Sequence, residues 1–210
     1  MNKRNVQKEM ECLLESLKGG PVKKLLLHSC CAPCSSYCLE YLSNYFDIGV
    51  FYYNPNITDA AEYARRLSEQ RRLCDEMPFA NCVKVTDGGY GPQEFFSAAR
   101  GLENEPEGGA RCLKCFELRL ERTAKLAKEL NCDYFATTLT LSPLKNAPAI
   151  NEIGERLGQK YGVSYLCSDF KKREGYKRSI ELSRIYGLYR QNYCGCVFSR
   201  RKAENCAEEV

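Results

Sequence analysis

Seven cysteines with ligand-like spacing are the residues of this chain most able to do chemistry. They fall into three groups: Cys30, Cys31 and Cys34; Cys112 and Cys115; and Cys194 and Cys196. Cysteines three residues apart in the first turn of a helix share a face, and the free amides there favour thiolates and anionic clusters. Soft thiolate ligands favour zinc or iron–sulfur clusters over magnesium or calcium.

The number of thiols is larger than one metal site needs. One tetrahedral zinc ion or one 4Fe–4S cluster takes four ligands, so seven thiols exceed a single site. The chain has one histidine, His28, which argues against a mixed Cys/His zinc site. His28 follows a predicted strand, where it could bind metal, orient a thiolate or simply belong to the core. We expect an iron–sulfur cluster, with three thiols left for a second metal or a redox-active pair.

The other cysteines and the N-terminus bear on the cellular compartment. Fourteen cysteines would indicate a disulfide framework in a small secreted domain, but the N-terminus lacks the apolar stretch of an export signal. No apolar run is long enough to span a membrane. We therefore expect a cytoplasmic protein without a membrane partner. Seven cysteines are expected to be ordinary core or surface thiols: Cys12, Cys38, Cys74, Cys82, Cys132, Cys167 and Cys206.

The elements that must position these groups alternate between strand and helix. Apolar patterns predict five strands, at residues 24–28, 48–53, 83–86, 134–139 and 163–167. Strands separated by helices indicate an α/β fold with a doubly wound, mostly parallel, Rossmann-like sheet. Ligands bind such sheets beyond the carboxyl ends of the strands, where the unusual residues fall.

Three segments are expected along the chain. Residues 1–22 form an amphipathic N-terminal extension that ends at two glycines, and residues 23–170 form the α/β metal-binding core. Residues 171–210 form a small, basic, helical C-terminal lobe that carries the Cys-Gly-Cys segment and closes over the site.

Ordered motifs over residues 24–201 resemble the epoxyqueuosine reductase QueH family, whose sheet would be HUP-like. They include Leu27–Cys34 (LHSCCAPC), Tyr53–Ile57 (YNPNI), Glu62-Tyr63 with Arg66, Arg111-Cys112-x-x-Cys115, Thr137–Leu139 followed by Ser142-Pro143-x-Lys145, and Tyr189–Cys196 (YRQNYCGC).

The resemblance implies a cobalamin-independent metalloenzyme. Such an enzyme reduces the epoxide of epoxyqueuosine, at the wobble position of tRNA, to the alkene of queuosine. It also implies that Cys30, Cys31, Cys112 and Cys115 bind a 4Fe–4S cluster. Cys194 and Cys196 would form a redox-active disulfide or bind an additional mononuclear iron. The metal-binding role of Cys34 is left open.

Removing an epoxide oxygen to leave an alkene and water takes two electrons and two protons. The electrons would come from a donor that the sequence does not identify. Candidate proton donors are Tyr53, Tyr63, Tyr193 and His28, with Tyr53 and Tyr193 placed beside Cys194 and Cys196 as catalytic candidates. The candidate substrate-binding residues are Asn54, Tyr63, Arg66, Thr138, Ser142, Lys145, Arg190 and Gln191.

A tRNA partner, rather than DNA, also agrees with the distribution of charge. The whole chain carries only +4, but residues 171–202 contain ten lysines or arginines and two acidic residues, a local balance of +8. Tyrosines interleave with these cations, as they do on surfaces that stack nucleic-acid bases. A solvated helical face is the plainer interpretation of the same segment.

Two other functions remain open from the sequence. A tRNA-thiolating enzyme on a related fold would need a glycine-rich phosphate loop after the first strand, where this chain has Cys-Cys-Ala-Pro-Cys. A zinc-stabilised tRNA-binding protein without redox catalysis would leave the thiols beyond one Cys₄ site without a role.

Overall fold

The computed structural model describes residues 4–78 and 83–200 as an α/β fold with a five-stranded parallel sheet. The strands are β1 (Lys23–His28), β2 (Phe46–Tyr52), β3 (Val85–Asp87), β4 (Tyr134–Thr137) and β5 (Ser164–Tyr165). Their order across the sheet is β3-β2-β1-β4-β5, and every neighbouring pair is parallel. The fold class expected from the sequence is confirmed.

Helices cover both faces of the sheet. They are α1 (Val6–Leu17), α2 (Ala32–Leu42), α3 (Ala60–Glu76), α4 (Pro92–Ala99), α5 (Ala110–Glu129), α6 (Ala147–Tyr161) and α7 (Gly175–Ile185). None of these helices has the length and apolar character needed to cross a membrane.

The apolar side chains of the central strand explain the two layers. Leu25 and Leu27 of β1 pack with α1, α2 and α3 on one face, while Leu26 packs with α5 and α6 on the other. A strand with side chains buried on both sides is typical of a parallel sheet covered by helices. The C-terminal helix α7 docks on α2, where Arg178 pairs with Glu40 at 2.6 Å.

Three strands, β3, β4 and β5, are shorter than the apolar pattern predicts, and a side chain accounts for the end of β4. β4 ends at Thr137, and residues 138–141 form a 3₁₀ helix because the Thr137 hydroxyl accepts the Leu139 N–H at 3.1 Å. β5 stops at Tyr165. Leu166 still donates its N–H to the Phe135 carbonyl at 2.9 Å. Beyond it, the Asn151 side chain accepts the Ser168 N–H at 3.0 Å and donates to the Ser168 carbonyl at 2.9 Å.

Some expectations fall outside the described residues. Cys82, Cys206, Arg201 and Lys202 belong to this group. Of the other single cysteines, Cys38 and Cys74 are buried in the core between the sheet and α1, α2 and α3.

The close packing of α6 on the edge strand β5 can be tested at Gly154. A Cβ at this position would overlap the ring of Tyr165. We predict that Gly154→Ala lowers the free energy of unfolding by about 1–3 kcal/mol, the usual cost of overpacking, as measured by urea denaturation. Gly49→Ala is the control, since its Cβ would meet Leu26 at an ordinary 3.5 Å. Equal stability of the two variants would contradict this packing.

Candidate metal and substrate site

Two adjoining cavities lie beyond the carboxyl ends of β1 and β4. The outer cavity is open, measures about 460 Å³ and is lined by Cys30, Cys31 and Cys34. The inner cavity is small, about 40 Å³, and is lined by Cys112, Cys115 and Cys196. Both cavities are lined by Cys194, Arg119 and Lys145, among other residues. The three cysteine groups of the sequence therefore converge on one region.

The turn between β1 and α2 brings three thiols together at the outer cavity. The sulfur atoms of Cys30, Cys31 and Cys34 all lie within 4.8 Å of one another. Thr138, from the 3₁₀ helix after β4, holds Cys30. Its hydroxyl accepts the Cys30 N–H at 3.1 Å and donates to the Cys30 sulfur at 3.3 Å. Adjacent cysteines can share a site here because the chain has left the regular strand.

Mutual hydrogen bonding separates the acidities of these thiols. Donation from Cys31 and Cys34 holds the pKa of Cys30 well below its usual value, although burial opposes the shift. Donation to Cys30 raises the pKa of Cys31 to about 11. The pKa of Cys34 is raised for the same reason. Without a metal, this group therefore stabilises one thiolate, on Cys30.

The inner cavity is built from the start of α5 and the Cys-Gly-Cys segment. Cys112 and Cys115 share one face of α5, and the Gly108 N–H donates to the Cys112 sulfur at 3.2 Å. Across the cavity, the sulfur atoms of Cys194 and Cys196 are 3.5 Å apart. Hydrogen bonding from Cys196 holds the pKa of Cys194 well below its usual value. Burial raises the pKa of Cys115 to about 11.

The Cys-Gly-Cys segment is held in place by the loop after β2 and by α3. Gly195 has a φ of +108°, and a Cβ there would lie 2.8 Å from Cγ1 of Ile57, so the position requires glycine. The Asn56 amide donates to the Cys194 carbonyl at 3.0 Å, and the buried Arg66 guanidinium donates to it at 3.3 Å. These contacts fix two thiols that lie far along the chain from the others.

Several cations lie around the thiols, among them Arg66, Arg119 and Lys145. Burial alone would lower the pKa of Lys145, but the sulfur atoms of Cys30, Cys34 and Cys194 outweigh it and raise that pKa. Lys145 is therefore a protonated ammonium at neutral pH, beside the outer cavity.

The candidate substrate-binding and proton-donating residues lie in three different places. Six of them line the outer cavity: Arg66, Ser142, Lys145, Arg190, Gln191 and Tyr193. Asn54 and Thr138 are buried beneath it and hold other site residues. Tyr53 and Tyr63 do not line either cavity, and their hydroxyls donate to Glu94 at 2.7 Å and Asp87 at 2.6 Å.

His28 is buried at the end of β1 with its ring nitrogens occupied. Nδ1 lies 2.8 Å from the Thr137 hydroxyl, and Nε2 faces the Arg119 guanidinium at 3.3 Å and the Tyr53 carbonyl at 3.1 Å. Burial and the charge of Arg119 lower the pKa of His28 to about 3. His28 is thus a neutral core histidine that supports the site from below.

A family model described as epoxyqueuosine reductase QueH matches residues 25–202. The chain belongs to this family. Its similarity to curated members of the family covers most of each protein. An epoxyqueuosine reductase QueH from Staphylococcus epidermidis is 49% identical, over 88% of this chain and 79% of the relative. One from Thermotoga maritima is 38% identical, over 83% of this chain and 89% of the relative. The resemblance drawn from the sequence motifs is confirmed.

A solved structure with the same fold belongs to a different enzyme. The U34-tRNA thiolase NcsA from Methanococcus maripaludis, determined with its [4Fe-4S] cluster, superimposes with a TM-score of 0.53. The alignment covers 96% of this chain and 72% of the thiolase, at 14% sequence identity. At this identity the match supports the fold alone, and it agrees with the HUP-like sheet expected of the family.

Sequence reasoning missed several residues that shape the site. Arg119 lines both cavities, and Ser199 places its hydroxyl 3.1 Å from the Cys194 sulfur. Helical spacing was the available signal for both, because Arg119 lies four residues after Cys115 and Ser199 three after Cys196. Nothing in the sequence pattern points to Asn56, whose role depends on a contact between distant segments.

The contact between the sulfur atoms of Cys194 and Cys196 leads to a prediction about oxidation. In metal-free protein, we expect mild oxidation to join this pair first, since their sulfur atoms lie 3.5 Å apart and Cys194 is the thiolate. Peptide mapping by mass spectrometry would locate the disulfide. Cys74→Ser, which alters a buried core thiol, should leave the product unchanged. Preferential oxidation at Cys112 and Cys115 would contradict the prediction.

Proposed function

We propose that this protein is a cytoplasmic epoxyqueuosine reductase that acts on tRNA with a cluster of the 4Fe–4S type. The observation that carries the proposal is the convergence of seven thiols at two adjoining cavities, in a chain that belongs to this family. The reaction removes the epoxide oxygen as water and leaves an alkene. It consumes two protons and two electrons, the electrons coming from a separate donor.

The donor set fits a thiolate-bound metal centre. Three thiols lie within 4.8 Å of one another, and four more line the adjoining cavity or the wall between the two. We assign Cys30, Cys31, Cys112 and Cys115 to the cluster, as the resemblance implies. Cys34, Cys194 and Cys196 then remain for an additional iron or a redox-active pair. Cys194 supports this division because it alone among the seven lines both cavities.

When bound, the metal centre supplies electrons and a Lewis acid for the epoxide oxygen. The protein's own residues do the rest. The Lys145 ammonium lines both cavities and can deliver a proton to the departing oxygen. Tyr193 also lines the outer cavity and is a second proton source there. The buried Arg66 guanidinium, already bonded to Glu62, keeps the Tyr193–Cys194 backbone in position.

The outer cavity has the size and chemistry for a modified base. Its volume of about 460 Å³ lies within the range of small-molecule sites. The buried amide oxygen of Gln191 has no hydrogen-bond partner within the described residues, so it can accept a donor from the base. Leu144 and Tyr176 expose apolar surface at the rim, where unstacked bases of an RNA loop can pack.

The structure gives less support to the two alternative functions. A phosphate-cradling loop of a thiolating enzyme would occupy the β1–α2 turn, but that turn presents three clustered thiols. A lone zinc site would leave three of the seven thiols unused.

Metal analysis tests the cofactor. We predict about four irons with acid-labile sulfide per chain after anaerobic reconstitution, with an additional iron if the second site fills. Cys112→Ala and Cys115→Ala should abolish the cluster and the conversion of epoxyqueuosine to queuosine in tRNA, followed by mass spectrometry of the nucleosides. Cys196→Ala should retain most of the cluster iron yet lose turnover.

Cys74→Ala and Cys132→Ala are the matched controls, because these thiols do not line either cavity. Both should keep cluster and activity. Tight binding of one zinc without sulfide in the wild type would rule out the iron–sulfur proposal, and complete loss of the cluster in Cys196→Ala would make that residue a cluster ligand.

The basic C-terminal segment is less charged as a surface than its composition suggests. Arg173 pairs with Glu11 at 2.9 Å, Arg178 with Glu40, and Lys171 with Asp169 at 2.6 Å. Acids from other segments thus offset part of the local +8. The exposed cations Lys172, Lys177 and Arg184 lie on or just before α7, a helix whose Tyr176 lines the outer cavity. Lys177 forms an ion pair with Glu174 at 3.5 Å, but both side chains are exposed, so these three are still the better candidates for phosphate contacts.

We predict that replacing Lys172, Lys177 and Arg184 with Glu raises KM for whole tRNA and flattens its salt dependence. Each phosphate contact contributes a log–log slope of about −0.7 to −0.9. Iron content should not change. The control replaces Arg122, Lys125 and Lys128 of α5, exposed on the opposite face, with Glu. If both triple variants and the wild type had identical salt slopes, the cations of α7 would not contact phosphates, and α7 would be an ordinary solvated surface.

A further inference from the structure

Within the part of the chain that the structure describes, Arg119 is a buried cation without an acidic partner. Its residue is 3% exposed, within α5. Among the described residues, no carboxylate lies within 4.0 Å of its guanidinium, whereas buried Arg66 pairs with Glu62 at 2.6 Å. Glu107 lines the same two cavities but is exposed and forms no ion pair with Arg119. A buried charge is costly unless it is paired, and none of the acidic side chains that the structure describes is the counter-ion of Arg119.

The groups that hold the guanidinium are neutral. Its Nε donates to the His28 ring at 3.3 Å, and its terminal nitrogen donates to the Asn54 side-chain oxygen. Asn54 is itself fixed by donating to the Ser29 carbonyl at 2.9 Å. These contacts satisfy donors and aim the side chain, but they supply no negative charge.

The thiols are the groups near Arg119 that can supply this charge. Cys115 lies four residues before Arg119 on α5 and lines the inner cavity with it, and Cys30 lines the outer cavity with it. Arg119 lines both cavities, so one cation faces both sets of ligands. Four thiolates around a 4Fe–4S cluster make an anionic assembly, which this cation would neutralise in part.

We propose that Arg119 is the built-in counter-charge of the metal centre. This inference rests on the thiolate-bound centre of the proposed function. Two consequences follow. The metal-free protein carries a buried positive charge that binding of the centre compensates, so loading should stabilise the fold partly through Arg119. Reduction adds negative charge to the centre, so the same cation should raise its midpoint potential and favour the reduced state.

The experiment measures the rise in melting temperature on metal loading, in the wild type, Arg119→Gln and Arg119→Lys. We expect a smaller rise in Arg119→Gln than in the wild type, and a rise close to that of the wild type in Arg119→Lys, which keeps the charge. A redox titration followed by electron paramagnetic resonance should give a more negative midpoint in Arg119→Gln than in the wild type.

Arg156→Gln is the matched control, since it removes one positive charge from an exposed ion pair with Glu117. It should leave both the loading shift and the midpoint unchanged. Wild-type behaviour of Arg119→Gln in both measurements would overturn the proposal. So would failure of Arg119→Lys to the same degree as Arg119→Gln, because geometry rather than charge would then be responsible.

Two other results of this experiment are possible. If Arg119→Gln does not fold, Asn54→Asp takes its place, because it keeps the shape of the site and pairs the guanidinium internally. It should reduce the loading shift and lower the midpoint in the same direction, and a wild-type result would overturn the proposal. If the wild type binds zinc without sulfide, the iron–sulfur function fails, but the loading shift with zinc still tests the counter-charge.

Discussion

The divergence of the chain after two neighbouring parallel strands is the constraint from which the site follows. β1 and β4 lie side by side, but α2 leaves toward one face of the sheet and α6 toward the other. A crevice opens where the connections part, as at the ligand-binding switch point of other doubly wound sheets. The turn after β1 fills its floor with thiols, and the 3₁₀ helix after β4 supplies Thr138 to hold one of them. Packing of a regular sheet thus makes room for an irregular turn rich in cysteine.

The second constraint is electrostatic. Seven thiols that convert to thiolates in a partly buried space would repel one another, and the surrounding cations reduce that cost. Arg119 and Lys145 face both cavities, and Arg66 ties the Cys-Gly-Cys backbone to α3. The cations come from three different segments. Ligand convergence and charge balance are therefore produced by the same folded arrangement and not by any one motif.

The sequence predicts the parts of this arrangement that depend on local pattern. Apolar periodicity gives the parallel sheet and both helical layers, and cysteine spacing gives the three ligand groups. The end of β4 was missed because the hydrogen bond between the Thr137 hydroxyl and the Leu139 N–H competes with the strand pattern. The remote positions of Tyr53 and Tyr63 could not be read from their motifs either. Both tyrosines belong to motifs near the carboxyl ends of the strands. Their hydroxyls nevertheless donate to Glu94 and Asp87, which lie outside the two cavities. Such pairings depend on packing between segments, which no local spacing encodes.

The dependence of the site on the Cys-Gly-Cys segment has a consequence for biosynthesis. Ribosomes release a chain from its N-terminus onward, and nascent segments begin to fold as they emerge. Cys30, Cys31 and Cys34 emerge early, but the wall that they share with Cys194 is completed only after about 160 more residues have been made. Until then the outer thiols are open to solvent on one side and lack their closing segment. A metal centre of the proposed kind would therefore best be loaded after translation, when the last thiols have docked and can enclose it.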